Sequence, residues 1–242
     1  PISTDIEVAS VAPGGISTCI TLTNGAIKCW GGNSSGQLGQ GSTTNIGASS
    51  SDMANLNQIR LDADRARDVQ TGLSHSCAIT IERDLQCWGG NSSGQLGLGD
   101  TANRGDGAGE MGSALQTVDL GAGSYVVQVA IGHSHTCALL DNGNVKCWGD
   151  NSKGALGRNN MTHIGDGASE MGSSLAAIDL GTGRRALQIG AGDRFSCALL
   201  DNGAVKCWGY NGYGQLGDTT TTNRNVPTSV STLSSGVQSI SV

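Results

Sequence analysis

Eight cysteines are the residues of this 242-residue chain best equipped to do chemistry. They form four pairs, Cys19 and Cys29, Cys77 and Cys87, Cys137 and Cys147, Cys197 and Cys207, each pair ten residues apart. A tryptophan follows every second cysteine: Trp30, Trp88, Trp148 and Trp208. Thiols at such positions could ligate a metal, act as nucleophiles or pair as disulfides. Zinc sites usually place cysteines two to four residues apart. The wider spacing here, with no histidine in register, fits disulfides and not a metal.

The spacing can be tested against turn chemistry. In the third copy, a two-residue turn at Asn142-Gly143 would set Cys137 opposite Trp148. A three-residue loop, Asp141-Asn142-Gly143, sets Cys137 opposite Cys147 instead. Such a loop ends on a residue with positive φ, where glycine is favoured, and Gly25, Gly143 and Gly203 hold that position. Arg83 holds it in the second copy, which predicts a strained or differently looped hairpin. Four hairpin disulfides imply an oxidising compartment, so the chain is expected to be extracellular, secreted or at the cell surface.

Other candidate groups are sparse. Of the four histidines, His75 and His135 sit two residues before the first cysteine of their copies, where Ser17 and Phe195 stand in the others. A repeat position of this kind suggests a structural hydrogen-bonding role. No Ser-His-Asp arrangement can be drawn, so no catalytic residue is assigned and no enzyme is expected. Asp106 with Glu110, and Asp166 with Glu170, are four apart in a glycine-rich insert and could offer oxygens to calcium. The first copy has Ala48 and Asp52 there, and the competing reading is a solvated or cross-contacting loop. No cofactor is implied. Asn33, Asn91 and Asn160 open glycosylation sequons, although the first two lie in a repeated loop whose turn could itself require asparagine. That loop, 31–39 and its equivalents, lacks the Gly-Lys-Ser/Thr of a phosphate loop and reads as a tight connection.

Four copies of one unit must position these groups. Successive first cysteines are 58, 60 and 60 residues apart. Each unit reads as an entering strand, a bridged hairpin, a glycine loop and an insert. The approximate repeats are 1–62, 63–121, 122–181 and 182–242 within a single domain, and 237–242 lines up with the entering strand 126–131. The 39 glycines suit many tight turns, and a net charge of −6 without a basic cluster argues against nucleic acid as the partner. No apolar run reaches membrane-spanning length, so no membrane insertion is expected. Pro1 is not followed by a signal peptide, which reads as a mature form or an interior segment.

The pattern Gly132-x-x-His135-Thr136-Cys137-Ala138-Leu139, then Gly143-x-Val145-x-Cys147-Trp148-Gly149-x-Asn151-x-x-Gly154-x-Leu156-Gly157, resembles the repeat of the regulator of chromosome condensation family. The resemblance implies an all-β fold of β-propeller type, each copy a four-stranded antiparallel blade. Four copies are few for that family, so a segment of a larger propeller or array is one expectation. The paired cysteines set this chain apart from nuclear members and suggest an extracellular branch. The expected function is a non-catalytic binding module recognising protein or glycan through loops. The alternative is a structural subunit of an extracellular assembly or filament, with copies of itself as partners.

Overall fold

The computed structural model describes residues 6–62 and 65–242. The expected start at Pro1 and the boundary between 62 and 63 lie outside or at the edge of these residues. Thirteen strands and one short helix follow in order: β1 Val8–Pro13, β2 Ser17–Leu22, β3 Ile27–Gly31, α1 Ser50–Ala54, β4 Ala66–Thr71, β5 His75–Thr80, β6 Leu85–Gly89, β7 Val126–Ile131, β8 His135–Leu140, β9 Val145–Gly149, β10 Ala186–Ala191, β11 Phe195–Leu200, β12 Val205–Gly209 and β13 Arg224–Ser229. They make four antiparallel sheets, β1-β2-β3, β4-β5-β6, β7-β8-β9 and β10-β11-β12-β13. The fold is all-β.

Among the described residues only the fourth sheet has a fourth strand; the expected four-stranded blade is three-stranded in the other repeats. There the outermost strand shrinks to single bridges, Gly31 with Ile46, Gly89 with Arg104 and Gly149 with Ile164. The insert is the cause. Its amides turn inward, as when Gly105 and Gly107 both donate to Glu110 Oε2 at 2.9 Å, and so cannot extend a ladder. The fourth repeat has no such insert, and β13 pairs with β12. In the first repeat the insert instead forms α1. Its Ser49 side chain accepts from Asp52 N–H while Asp52 accepts from Ser49 N–H, a capping box that the sequence reading did not anticipate.

Each entering strand carries one bulge at the same place, skipping Ala9, Arg67, Val127 and Leu187. An extra unpaired residue of this kind bends the strand and raises its twist.

The chain forms two compact units, Pro1–Gly90 with Ala102–Thr117, and Asn91–Thr101 with Val118–Val242. The core of the first joins Cys19, Ile27 and Cys29 of one sheet to Val69, Ala78 and Trp88 of the next. The core of the second joins Cys137, Val145 and Cys147 to Ile189, Leu200 and Trp208. Neighbouring residues on a strand face opposite sides, so each tryptophan points away from its own disulfide. In the first unit Trp88 packs against the Cys19–Cys29 face of the preceding sheet, and in the second Trp208 packs against the Cys137–Cys147 face.

Candidate functional site

The hairpins are bridged. Cys19–Cys29, Cys77–Cys87, Cys137–Cys147 and Cys197–Cys207 are joined, with Cα–Cα distances of 4.0–4.1 Å, and no cysteine among the described residues is free. Directly opposed residues at a non-hydrogen-bonded antiparallel site come this close. The loop has the three-residue form: Leu140 N–H donates to Asn144 O and Gly143 N–H to Leu140 O, both at 2.9 Å, with Gly143 at φ 82°. The second repeat keeps the same loop, with Arg83 forced to φ 69°. A non-glycine residue there costs about 1–2 kcal/mol.

The tryptophans tie successive repeats together. Trp88 Nε1 donates to Gln37 O at 3.0 Å, Trp148 Nε1 to Gln95 O at 3.0 Å and Trp208 Nε1 to Ala155 O at 2.8 Å. The hydroxyl at a second repeat position reaches the same carbonyl: Ser76 to Gln37 O, Thr136 to Gln95 O and Ser196 to Ala155 O, at 2.9, 2.8 and 3.1 Å. All three acceptors are backbone oxygens, which is why alanine can stand at 155 where glutamine stands at 37 and 95.

Buried asparagines hold the glycine loops. Asn33, Asn91, Asn151 and Asn211 have no solvent exposure. The Oδ1 of Asn33 accepts Leu38 N–H at 2.9 Å, and its Nδ2 donates to Ser42 O and Thr44 O. Asn91 does the same with Leu96 N–H and Asp100 O. The Nδ2 atom is the one a glycan would join, and in the folded chain that of Asn33 and Asn91 is held by loop carbonyls. Asn151 and Asn211 perform this task without sequons. Asn160 is exposed, and its Oδ1 accepts from Thr162 N–H at 3.1 Å.

The acidic pairs serve the inserts. Glu170 Oε2 accepts Gly165 and Gly167 N–H at 2.8 and 2.9 Å, as Glu110 does with Gly105 and Gly107. In the first repeat Asp52 Oδ2 takes Gly47 and Ser49 N–H at 3.1 Å. Asp106 accepts from Asn103 Nδ2. The insert in turn sits on the preceding glycine loop, with Gly41 N–H donating to Gly105 O and Gly99 N–H to Gly165 O at 3.0 Å. Among the described residues, no group of three His, Cys, Asp or Glu side chains is placed to hold a metal ion.

His135 is buried, its Nε2 2.9 Å from Ser196 Oγ. Burial in apolar surroundings pushes its pKa down to about 4, which keeps the ring neutral. Two further groups were missed by sequence reasoning. Lys146 Nζ donates to Leu120 O at 2.7 Å and Gly172 O at 3.0 Å, and burial lowers its pKa. Gln128 imitates a strand: its Nε2 donates to Ile189 O while Ile189 N–H donates to its Oε1, both at 2.9 Å. The recurrence of glutamine at 128 and 188, 60 residues apart, was the available signal.

The family described as Regulator of chromosome condensation (RCC1) repeat matches residues 66–95, 126–155, 187–215 and 202–242. The chain belongs to the RCC1 repeat family. It is 33% identical over 214 residues to the human E3 ubiquitin-protein ligase HERC2, covering 88% of this chain and 4% of that protein. It is 28% identical to the ultraviolet-B receptor UVR8 of Arabidopsis thaliana, covering 87% of this chain and 43% of the receptor. Among solved structures, human WBSCR16 superimposes with a TM-score of 0.72 at 21% identity, covering 95% of this chain and 54% of that one. Yeast RCC1 (Prp20), solved bound to Kap60, gives 0.72 at 20% identity, with 95% and 50% covered. At that identity the likeness shows the fold, an RCC1-type β-propeller fold. The chain spans about half or less of each of these proteins. Proteins of this fold are typically interaction modules.

One loop pair forms a cleft. In the first unit, a cleft of about 750 Å³ lies between loop 39–41 and loop 107–109. Gln40, Asn57, Gln58 and Arg60 line it on the polar side and Met111 on the apolar side. Among the described residues, no helix is long and apolar enough to cross a membrane.

Proposed function

We propose that this RCC1-repeat chain is an extracellular, non-catalytic binding module that recognises protein or glycan through its loops. The cleft between loops 39–41 and 107–109 carries the reading. Side-chain amides and the Arg60 guanidinium line it, with a thioether on the apolar side. That mixture suits carboxylate, hydroxyl and amide groups on a partner's surface. The groups a catalyst would need are engaged in the scaffold instead: Glu110 and Glu170 close inserts, and His135 bonds Ser196. The four hairpin bridges support an oxidising setting.

The test uses the chain secreted from eukaryotic cells. Mass spectrometry after thiol labelling should find no reactive cysteine before reduction and eight after it. Eight labelled thiols without reductant would overturn the extracellular reading. Labelled chain is then applied to cell surfaces treated with protease or with glycosidases. Saturable binding lost after one treatment assigns the partner class, and Arg60→Ala should weaken it. Absence of saturable binding to every surface would sink the binding-module reading.

A second reading, a structural subunit of an extracellular assembly, is favoured by a different observation. Repeat-to-repeat contact is built through side chains that imitate a strand: Gln188 exchanges with Ile240 the two hydrogen bonds that Gln128 exchanges with Ile189.

A further inference from the structure

The cleft of the first unit is built on positions that recur in the second and third repeats, and its side chains differ from theirs. Backbone bonds fix the correspondence. Gly112 N–H donates to Arg60 O as Gly172 N–H donates to Asp119 O, and Ile59 N–H donates to Ile27 O as Ile178 N–H donates to Val145 O. Arg60 therefore stands where the later repeats have Asp119 and Asp179. Those two carboxylates fold back on their own chain, accepting Gly121 and Gly181 N–H at 2.8 Å. Arg60 is exposed, and no carboxylate is among the residues lining its cleft.

The other positions change with it. Gln40 takes the place of Leu98 and Arg158; its Nε2 donates to Asn57 O at 3.2 Å, as Arg158 Nη1 donates to Ala176 O at 3.0 Å. Asn57 and Gln58 align with Ala176 and Ala177. The third repeat thus has two alanines and an aspartate where the first has two amides and a guanidinium. The shared scaffold needs none of the first repeat's choices, since the same backbone bonds form without them.

These choices agree in their chemistry. A guanidinium fork takes a carboxylate through two parallel N–H···O bonds. Side-chain amides both donate and accept, which matches the double hydrogen bonding of a hydroxyl. A peptide docks on a sheet edge or in a row of apolar pockets. This cleft is walled by loops and has Met111 as its one large apolar group. No aromatic ring lines it on which a neutral sugar could stack, so charge must supply the affinity.

We propose that the cleft of about 750 Å³ between loops 39–41 and 107–109 binds a uronate-bearing glycan, Arg60 holding the sugar carboxylate while Gln40, Asn57 and Gln58 take the ring hydroxyls. The inference rests on the binding-module reading and narrows its partner to one class.

Calorimetric titration of the whole chain with oligogalacturonate tests this. Binding should be saturable and should vanish when the sugar carboxylates are reduced to alcohols. Arg60→Ala should weaken it about tenfold or more. Arg60→Lys, which keeps the charge and loses the fork, should recover only part of that loss. Gln40→Leu, which installs the residue of the second repeat, should weaken it about threefold or more. Arg158→Ala should leave it unchanged. Circular dichroism checks that each variant is folded. Oligoglutamate, which carries its carboxylates on a peptide, should bind more weakly; equal or tighter binding overturns the glycan assignment. So does titration that shows no oligogalacturonate binding, or binding indifferent to Arg60→Ala. If the chain nevertheless binds cell surfaces saturably, the binding-module reading stands without this ligand. If it binds neither, both readings fall.

Discussion

The indole of Trp208 donates its N–H to the backbone oxygen of Ala155 at 2.8 Å, across 53 residues of chain. Its ring meanwhile packs on the Cys137–Cys147 hairpin of the sheet before it. One side chain therefore supplies both the apolar contact between two repeats and the polar lock on the glycine loop. Truncating it should separate these contributions. Trp208→Ala should cost about 3–5 kcal/mol, the usual penalty for deleting a buried aromatic. Trp208→Phe, which keeps most of the area and loses only the hydrogen bond, should cost about 1–2 kcal/mol. Urea unfolding with matched m-values checks both.

His135 should make the fold acid-sensitive. Its folded pKa is about 4, set chiefly by burial, against 6.5 for the free side chain. Between these values the unfolded chain binds a proton that the folded chain refuses. Stability from the neutral ring is thus complete above about pH 6.5 and falls as pH drops towards 4, by about 3 kcal/mol in all. His135→Phe should remove this slope, since Phe195 fills the same repeat position in the fourth copy, its ring beside Gly192 as that of His135 lies beside Gly132. Melting temperatures at pH 4 to 7 for the two proteins would show it, and parallel curves would refute it.

Arg83 offers a stabilising change. It adopts the left-handed backbone of Gly25, Gly143 and Gly203 without being glycine, and it is exposed. Arg83→Gly should gain about 1 kcal/mol from relief of that strain. For a chain of this size that is a rise of roughly 2–4 °C in melting temperature. Gly143→Arg should move the other way by a similar amount.

Glu170 Oε2 holds two amides of its own insert. Glu170→Gln should loosen loop 165–172 and cost about 1–2 kcal/mol, seen as faster amide exchange at Gly165 and Gly167. Chelator should leave the parent chain's melting curve in place. A rise in melting temperature on adding calcium would instead give Asp166 and Glu170 the ion-binding task that their spacing also permits.

Much of the hairpin was legible in advance because its determinants are local. A three-residue loop, a glycine at its third position and cysteines ten apart can satisfy one another in only one register, and Cys137 does face Cys147. The sequon at Asn33 left two roles open for the complementary reason. A triplet does not reveal that its amide will be sealed under Ser42 O and Thr44 O. The acidic pairs were ambiguous in the same way, since a carboxylate in a glycine loop serves a cation or backbone amides equally well until the loop closes.

The sequence by itself determined the repeat, the strand pairing inside each hairpin, the bridges and the likeness to RCC1 repeats, because all of these are set by residues within about one repeat of each other. The tertiary structure alone decided which carbonyls Trp88, Trp148 and Trp208 find, that Glu110 and Glu170 close inserts, and that Lys146 and Gln128 hold distant backbone. Those outcomes depend on groups some fifty residues apart meeting at hydrogen-bond distance, and a periodic pattern carries no information about which of its copies face one another until the sheets have packed.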